Sequence, residues 1–245
     1  MKTIACLAAI LAQLLMYSPL FGGEPVAYAN YAHLLDTYVN ETGVDYAKWH
    51  ADKRAIAELD KIVHAFSSVE PADLNAAEQK AFYINLYNAL MLQTVLQHYP
   101  IESVADILPD LGVFKQKLLN MGDTKVSLDN IEKRWLLQRF PDARIHFAVN
   151  CASRSCPPLA TQPFRAAHLE EQLEAQTRAF ARSDRAVVID DEHQILEFSQ
   201  LFQWYTDDFG SAGPAAYLNS YRSTPLPRNY TTAWMPYDWS LNRAQ

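Results

Sequence analysis

The feature that most constrains the fold is a long apolar segment behind a helix-capping pattern. Asn75 and Glu78 have the spacing of a capping box, in which each side chain bonds the backbone at the other residue. Positions 82–92 are apolar nearly all round, and Tyr99-Pro100 ends the segment. A helix without a polar face is buried on all sides. We therefore predict a central helix around which the rest of the chain packs.

Two amides interrupt this apolar segment. Asn85 and Asn88 are one helical turn apart, so they share a face of the predicted helix. Burying an amide costs free energy unless its polar atoms are hydrogen-bonded. Two interpretations remain open: the amides bond nearby backbone groups, or they line a binding site.

Periodic patterns along the chain predict an α+β fold, with a single helix-rich domain packed on a small, mostly antiparallel sheet over residues 30–245. The apolar, aromatic tail after residue 225 is expected to dock on this domain, most simply as a last strand. The predicted helices cover 31–39, 52–67, 75–99, 129–140, 165–183 and 201–209, and the predicted strands cover 144–150, 187–190 and 195–198.

The first 29 residues have the pattern of a cleaved export signal. Lys2 precedes an apolar run, and Ala27-Tyr28-Ala29 matches the small-residue pattern of a signal peptidase site. An uncleaved anchor is the alternative. Cleavage would leave a periplasmic or secreted protein without a membrane span, whose two remaining cysteines are Cys151 and Cys156.

Charge and motifs narrow the classes of partner. The chain has 28 acidic and 21 basic residues, a net charge of −7, and no run of Lys and Arg, so nucleic acid is not an expected partner. It has no glycine-rich phosphate loop and no H-E-x-x-H motif. We predict no cofactor and no metal site. The expected partner is an unknown small-molecule or peptide substrate, and the oligomeric state is open.

The most reactive stretch follows the predicted strand. A loop places Cys151, Ser153, Arg154, Ser155 and Cys156 within six positions, and two prolines follow it. Two interpretations of the cysteines remain open. They form a disulfide in an oxidising compartment, or Cys151 is a nucleophile with Cys156 as its neighbour. A zinc site would require C-x-x-C spacing and further ligands.

Four stretches together resemble the domain-of-unknown-function 547 family, which is thought distantly similar to papain-like and transglutaminase-like thiol enzymes. The resemblance implies that the polar residues shared with the family pattern are candidate site residues. One departure bears on a catalytic base, because Lys133 stands where the family commonly has His. The stretches are 82–89, 127–132, 146–157 and 237–242, and the matching polar positions are Asn85, Asn88, Glu132, His146, Cys151, Ser153, Cys156 and Asp238.

Residues and resemblance together favour an exported thiol-dependent hydrolase or acyltransferase that acts on an amide or peptide-like bond. The alternative is a non-catalytic envelope ligand-binding module with a Cys151–Cys156 disulfide. In a straight strand, His146 and Cys151 would lie roughly 16 Å apart, so His146 serves as the base only if the loop folds back. We predict that the four stretches meet in one cleft. The catalytic candidates are Cys151, His146 and Cys156, and the substrate-binding candidates are Asn85, Asn88, Glu132, Ser153, Arg154 and Asp238.

Overall fold

The structure is a computed structural model that describes residues 26–245. Most of the predicted export signal, residues 1–25, lies outside the described residues. The remaining part of that segment begins the first helix, in which Tyr28 is buried with its ring centroid 5.5 Å from that of Phe66. None of the helices between Val26 and Gln245 combines the length and apolar character needed to cross a membrane.

Helices dominate the described chain, and the strands are short. The α-helices are α1 (Val26–Tyr38), α2 (Tyr46–Ala51), α3 (Lys53–Ser67), α4 (Ala76–His98), α5 (Leu169–Ala181), α6 (Leu201–Trp204) and α7 (Gly213–Asn219). A π-helix covers Asn130–Leu137, and 3₁₀ turns cover Pro71–Asp73, Val104–Asp106, Pro109–Phe114, Ala143–Phe147, Ala166–His168 and Thr206–Phe209. The strands are β1 (Val39–Asn40), β2 (Gly43–Val44), β3 (Leu119–Met121), β4 (Thr124–Val126), β5 (Val187–Asp190), β6 (Ile195–Phe198) and β7 (Thr231–Trp234).

Helix α4 is the predicted central helix. Its capping box forms as expected, with Asn75 Oδ1 accepting from the Glu78 N–H and the Glu78 carboxylate accepting from the Asn75 N–H. Nearly every residue from Ala81 to Leu96 is buried. Helix α4 packs on α3, which in turn packs on α1. Helix α3 forms where a helix is predicted over 52–67, with Asp52 as its N-cap.

The sheets are small and mostly antiparallel, which confirms the α+β class. Strands β1 and β2 form one hairpin, and β3 and β4 form another. The third sheet has the order β5-β6-β7. Its antiparallel β5–β6 pair is the predicted hairpin, whereas β7 lies parallel to β6.

Two apolar cores share the interior. The first surrounds α1, α3 and α4, and the second lies among α5, β5, β6 and α6. The segment 145–149 runs between them with every residue buried. Ile145, Ala148 and Val149 belong to the first core, and Phe147 belongs to the second.

The strand predicted over 144–150 is wrong. Residues Ala143–Phe147 form a 3₁₀ turn that is capped by Asp142, whose carboxylate accepts from the Arg144 N–H. Alternating apolar residues predict a strand when one face meets solvent, but here cores cover both sides of the segment. An apolar run that is buried all round has no diagnostic period. The turn also shortens the path from His146 to Cys151, because a 3₁₀ helix rises about 2 Å per residue against about 3.3 Å in a strand.

The C-terminal tail docks as predicted, with β7 as a last strand beside β6 and with isolated backbone bridges closer to the C-terminus. Arg243 pairs with Val44, Ser240 with Ser103, and Leu241 with Ser153. The tail passes so close to Gly43 that a Cβ at that position would collide with the carbonyl oxygen of Asn242. The tail therefore connects the first hairpin to the cysteine loop.

Candidate active site

Amide side chains hold the cysteine loop from behind. Asn88 on α4 donates to the Ala148 carbonyl at 2.9 Å, and its Oδ1 accepts from the Asn150 N–H at 2.8 Å. Asn150 in turn donates to the Pro157 carbonyl at 2.7 Å and accepts from the Ala152 N–H at 2.9 Å. The buried Asn150 side chain thus fixes both the beginning and the end of the cysteine loop.

A third amide completes this support. Asn242 Nδ2 donates to Asn150 Oδ1 at 3.2 Å, while Asn242 Oδ1 accepts from the Tyr46 hydroxyl at 2.8 Å. Between these contacts Ala152 has φ of 62°, a left-handed conformation that costs a non-glycine residue about 1 kcal/mol or more. The hydrogen bonds on both sides of Ala152 maintain this turn, which carries the Cys151 side chain to the opposite side of the loop.

The Cys151 thiol contacts two hydroxyls. Its Sγ lies 3.0 Å from Ser153 Oγ and 3.3 Å from Tyr237 Oη, and these two oxygens are 3.1 Å apart. Burial raises the pKa of this thiol, but hydrogen bonds from Cys156, Ser153 and Tyr237 outweigh burial and lower the pKa to about 7. Cys151 is therefore a thiolate in a large fraction of molecules at neutral pH, and the thiolate is the nucleophilic form.

Cys156 has the opposite character. Both cysteines are free thiols in this structure, so the disulfide of the binding-module interpretation is not formed. Instead, Cys156 Sγ accepts a hydrogen bond from the Cys151 N–H at 3.0 Å. Burial and the neighbouring Cys151 thiolate raise the pKa of Cys156 well above its ordinary value. Cys156 accordingly supports the loop as a buried neutral thiol.

His146 is paired with a carboxylate that the sequence did not suggest. Its Nε2 lies 2.7 Å from Asp208 Oδ2, and the His146 side chain is 1% exposed against 42% for Asp208. A carboxylate at Nε2 favours the tautomer with a proton there, which leaves Nδ1 as the basic nitrogen. The ring packs against Tyr205 with centroids 4.1 Å apart and the two planes tilted by 36°, and the Tyr205 hydroxyl donates to Glu132 Oε1 at 2.6 Å.

These groups face one cavity of about 420 Å³, here called the thiol cavity. Glu132 enters it from the π-helix, a rare element that is frequent at functional sites. The other side chains in the wall are mainly aromatic and charged. Besides Cys151, Cys156, His146 and Glu132, they are Tyr87, Asp110, Leu111, Phe114, Lys115, Asp129, Lys133, Val149, Leu201, Trp204, Tyr205, Tyr237 and Trp239.

Tyr87 has a hydroxyl without a hydrogen-bond partner among the described residues. The residue belongs to α4, is 2% exposed and lines the thiol cavity. Burial, and then the charges of Glu132 and Cys151, raise the pKa of this hydroxyl well above its ordinary value. It therefore stays protonated and can donate a hydrogen bond to a molecule in the cavity.

The structure brings together only part of the predicted site. The thiol cavity is lined by Cys151, His146, Cys156 and Glu132. Ser153 lies outside its wall, but its hydroxyl contacts the Cys151 thiol. Asn88 supports the loop from behind. Asn85 lies outside the cavity wall, because both polar atoms of its amide bond the backbone of Phe164, at 2.7 and 2.9 Å.

Arg154 and Asp238 lie on the other side of the loop. Arg154 Nε is 3.7 Å from Asp238 Oδ2, and both side chains are about half exposed. Asp238 Oδ1 accepts from the backbone and the hydroxyl of Ser240, and these bonds hold the pKa of its carboxyl below the usual value. The four stretches meet at the thiol cavity as predicted, since each supplies at least one residue of its wall. Arg154 and Asp238 line a neighbouring cavity instead.

Sequence reasoning missed Asp208, Tyr87 and Tyr237. Tyr87 and Tyr237 lie within stretches that carry the family resemblance, but their hydroxyls gave no separate signal. Asp208 follows the aromatic helix in a turn, and only the tertiary structure places it beside His146. Within residues 26–245, no three His, Cys, Asp or Glu side chains are arranged to hold a metal ion.

Comparisons with known proteins bear on the family alone. A search of curated proteins and a search of solved structures each found no match. The family model described as "Protein of unknown function, DUF547" matches residues 71–181. That range includes Tyr87, Glu132, His146, Cys151 and Cys156, whereas Asp208 and Tyr237 lie beyond it. The match supports the resemblance to the domain-of-unknown-function 547 family, at the segment that builds most of the thiol cavity.

Proposed function

We propose that this protein is a thiol-dependent hydrolase or acyltransferase that acts on an amide or peptide-like bond. One observation carries the proposal. A thiol whose pKa is lowered to about 7 opens into the same cavity as a histidine that is oriented by a carboxylate. A nucleophile, a base and a group that orients the base are the parts that thiol-based acyl transfer requires.

In this mechanism the Cys151 thiol gives its proton to His146 Nδ1, and the thiolate attacks the substrate carbonyl carbon. The carbonyl oxygen becomes an oxyanion, and the Tyr87 hydroxyl is placed to donate a hydrogen bond to it. Protonated His146 then gives its proton to the leaving amine as the C–N bond breaks, which leaves a thioester on Cys151. Water or an acceptor amine attacks the thioester, and His146 takes and returns the proton.

Asp208 and Tyr237 have supporting roles in this proposal. Asp208 holds the His146 ring in one orientation and one tautomer. Tyr237 and Ser153 stabilise the thiolate before reaction. Cys156 is not the nucleophile, because its raised pKa keeps it protonated. The same proposal includes a distant similarity to papain-like and transglutaminase-like enzymes. It also includes export after removal of residues 1–29.

The test uses two probes, iodoacetamide for the thiol and a p-nitrophenyl ester for acyl transfer. We expect Cys151 to be alkylated faster than a model thiol at pH 7, and ester turnover to disappear in Cys151→Ser. His146→Gln should reduce ester turnover by about 100-fold or more, the usual contribution of a general base. Because buried His146 also packs in the interior, Asp208→Asn serves as a second variant at a half-exposed position.

A matched control is available in a second histidine–carboxylate pair. His193 Nδ1 lies 2.8 Å from Asp190 Oδ2 at an exposed turn remote from the thiol cavity. His193→Gln should leave ester turnover unchanged. The proposal fails if Cys151 reacts no faster than a model thiol, or if His146→Gln and Asp208→Asn behave like His193→Gln. Intact mass with and without reductant checks the binding-module alternative, which requires a two-hydrogen mass difference from a disulfide.

A further inference from the structure

A second cavity, of about 300 Å³, lies on the other side of Tyr237 from the thiol. We call it the arginine cavity, because Arg154 and Arg185 are the two cations in its wall. Tyr237 lines both cavities. Cys156 also connects them, since it lines the thiol cavity while its carbonyl oxygen accepts from Arg185 Nη1 at 3.2 Å.

Arg185 is the unusual group in this cavity. Its side chain is half-buried, yet the bond to the Cys156 carbonyl is its one hydrogen bond, and no carboxylate among the described residues lies within ion-pair distance. A guanidinium carries five N–H donors, so most of its donor capacity is unused. Buried charges in proteins are ordinarily paired, because an unpaired one loses solvation without compensation.

Neither carboxylate in the wall of the arginine cavity forms an ion pair with Arg185. Asp184 lines the cavity without forming an ion pair, and Asp238 is engaged by Ser240 and lies 3.7 Å from Arg154. Arg154 itself repels Arg185. Burial lowers the pKa of Arg185, the neighbouring Cys156 thiol offsets part of this effect, and the positive charge of Arg154 lowers the pKa further. Two guanidiniums face this cavity, and its one ion pair is the loose contact between Arg154 and Asp238, so the free donors of Arg185 suit an oxyanion.

We propose that the arginine cavity binds an oxyanion group of the substrate, a carboxylate or a phosphate, while the bond to be cleaved lies at Cys151. This inference rests on the proposed function and names the class of substrate: an acyl or peptide-like compound with an anionic group that reaches past Tyr237. Arg185 supplies the binding charge, and Arg154 supplies a second, more exposed contact.

The experiment uses alkylating reagents with the same reactive group and different ends. They are bromoacetamides whose nitrogen carries a short alkyl chain that ends in a carboxylate, a phosphonate or a neutral methylamide. The readout is the ratio of anionic to neutral alkylation rates at Cys151, divided by the same ratio for a free model thiol. We expect saturable labelling by at least one anionic reagent and a ratio of about 10 or more, the value of one charge-assisted hydrogen bond.

Variants assign the effect to the arginine cavity. Arg185→Gln should bring the ratio to about 1, and Arg154→Gln, at an exposed position that tolerates substitution, should lower it in the same direction. Arg182→Gln is the matched control, because Arg182 is an exposed arginine that bonds the Tyr221 carbonyl and lies outside both cavities. It should keep the ratio of the unaltered protein.

The outcomes separate the two proposals. Slow alkylation by the neutral reagent, at the rate of a model thiol, overturns the proposed function. Fast neutral alkylation with a ratio near 1 for both anionic reagents overturns the oxyanion site alone. A high ratio that survives in both Arg185→Gln and Arg154→Gln also overturns the site, because the preference then comes from another cation such as Lys115 at the thiol cavity.

Discussion

The two sides of the cysteine loop differ in how completely their polar groups are satisfied. Behind the loop lie the amide anchors, a name we give to Asn85, Asn88, Asn150 and Asn242. Each anchor uses both polar atoms of its side chain in hydrogen bonds to backbone groups, to another amide or, for Asn242, to the Tyr46 hydroxyl. In front of the loop, the Tyr87 hydroxyl has no hydrogen-bond partner within residues 26–245, and the Cys151 thiol has a pKa shifted toward neutrality.

This difference distinguishes buried polar residues that support the fold from those that can act on a substrate. A side chain whose donors and acceptors are all used inside the protein has nothing left to offer a substrate, and its loss leaves backbone groups unpaired. A buried side chain with unused capacity at a cavity is poised to act on a ligand. Substitutions behind the loop should therefore change stability, and substitutions in front of it should change reactivity.

The largest effect is expected from Asn150→Ala. This change leaves the Pro157 carbonyl, the Ala152 N–H and the Asn242 amide without their partner, so the free energy of unfolding should fall by about 4 kcal/mol. Urea unfolding measures it. Asn219→Ala is the control, because Asn219 accepts one bond from the Leu226 N–H and should cost about 1 kcal/mol. Equal losses in the two variants would contradict the network.

Asn85→Leu should cost somewhat less, about 3 kcal/mol, because it leaves the N–H and the carbonyl of Phe164 unpaired. Iodoacetamide labelling of Cys151 in the folded protein should stay within about twofold, since Asn85 does not reach the thiol cavity. If Asn85→Leu kept its unfolding midpoint but lost labelling, Asn85 would belong to the active site and not to the amide anchors.

Tyr237→Phe should change reactivity with little change in stability. The Tyr237 hydroxyl helps to lower the pKa of Cys151 to about 7, so its removal should move the labelling midpoint upward toward the ordinary value of 9.0. At a pH below the original midpoint, the thiolate fraction then falls by about tenfold per unit of pKa. A pH series of labelling rates tests this. Tyr230→Phe, which removes a hydroxyl bonded to Asp191, should leave the midpoint in place.

The smallest effect is expected at Lys133, the position where the resembled family commonly has His. Lys133 is half exposed and pairs with Asp129 one turn away at 3.1 Å, an ion pair worth about 0.5 kcal/mol or less. If His146 is the base, Lys133→His should change Cys151 labelling and ester turnover by less than about twofold. A tenfold gain would place the base at position 133 instead.

The sequence predicts the elements that local patterns determine. The capping box and length of α4, the helix α3 and the β5–β6 hairpin follow from residues that are close together in the chain. The 3₁₀ turn at Ala143–Phe147 does not, because two cores bury the segment from both sides and remove its period.

In the candidate site, too, only the residues with a local sequence signal can be predicted. Cys151, His146 and Glu132 are identifiable from motifs within one stretch of chain, and all three line the thiol cavity. Asp208 and Tyr237 reach their partners from 62 and 86 residues away. Contacts at such separations depend on how α6 and the tail pack, which no local pattern encodes.

The long separation between Cys151 and Tyr237 has a consequence during synthesis. A nascent chain that has emerged only as far as α5 already contains Cys151, but it lacks Tyr237, Asn242 and Asp208. Its thiol then lacks the Tyr237 hydroxyl that helps to lower its pKa, and His146 lacks the carboxylate that orients it. The cysteine therefore reaches its full reactivity only when the tail has docked, at the end of synthesis.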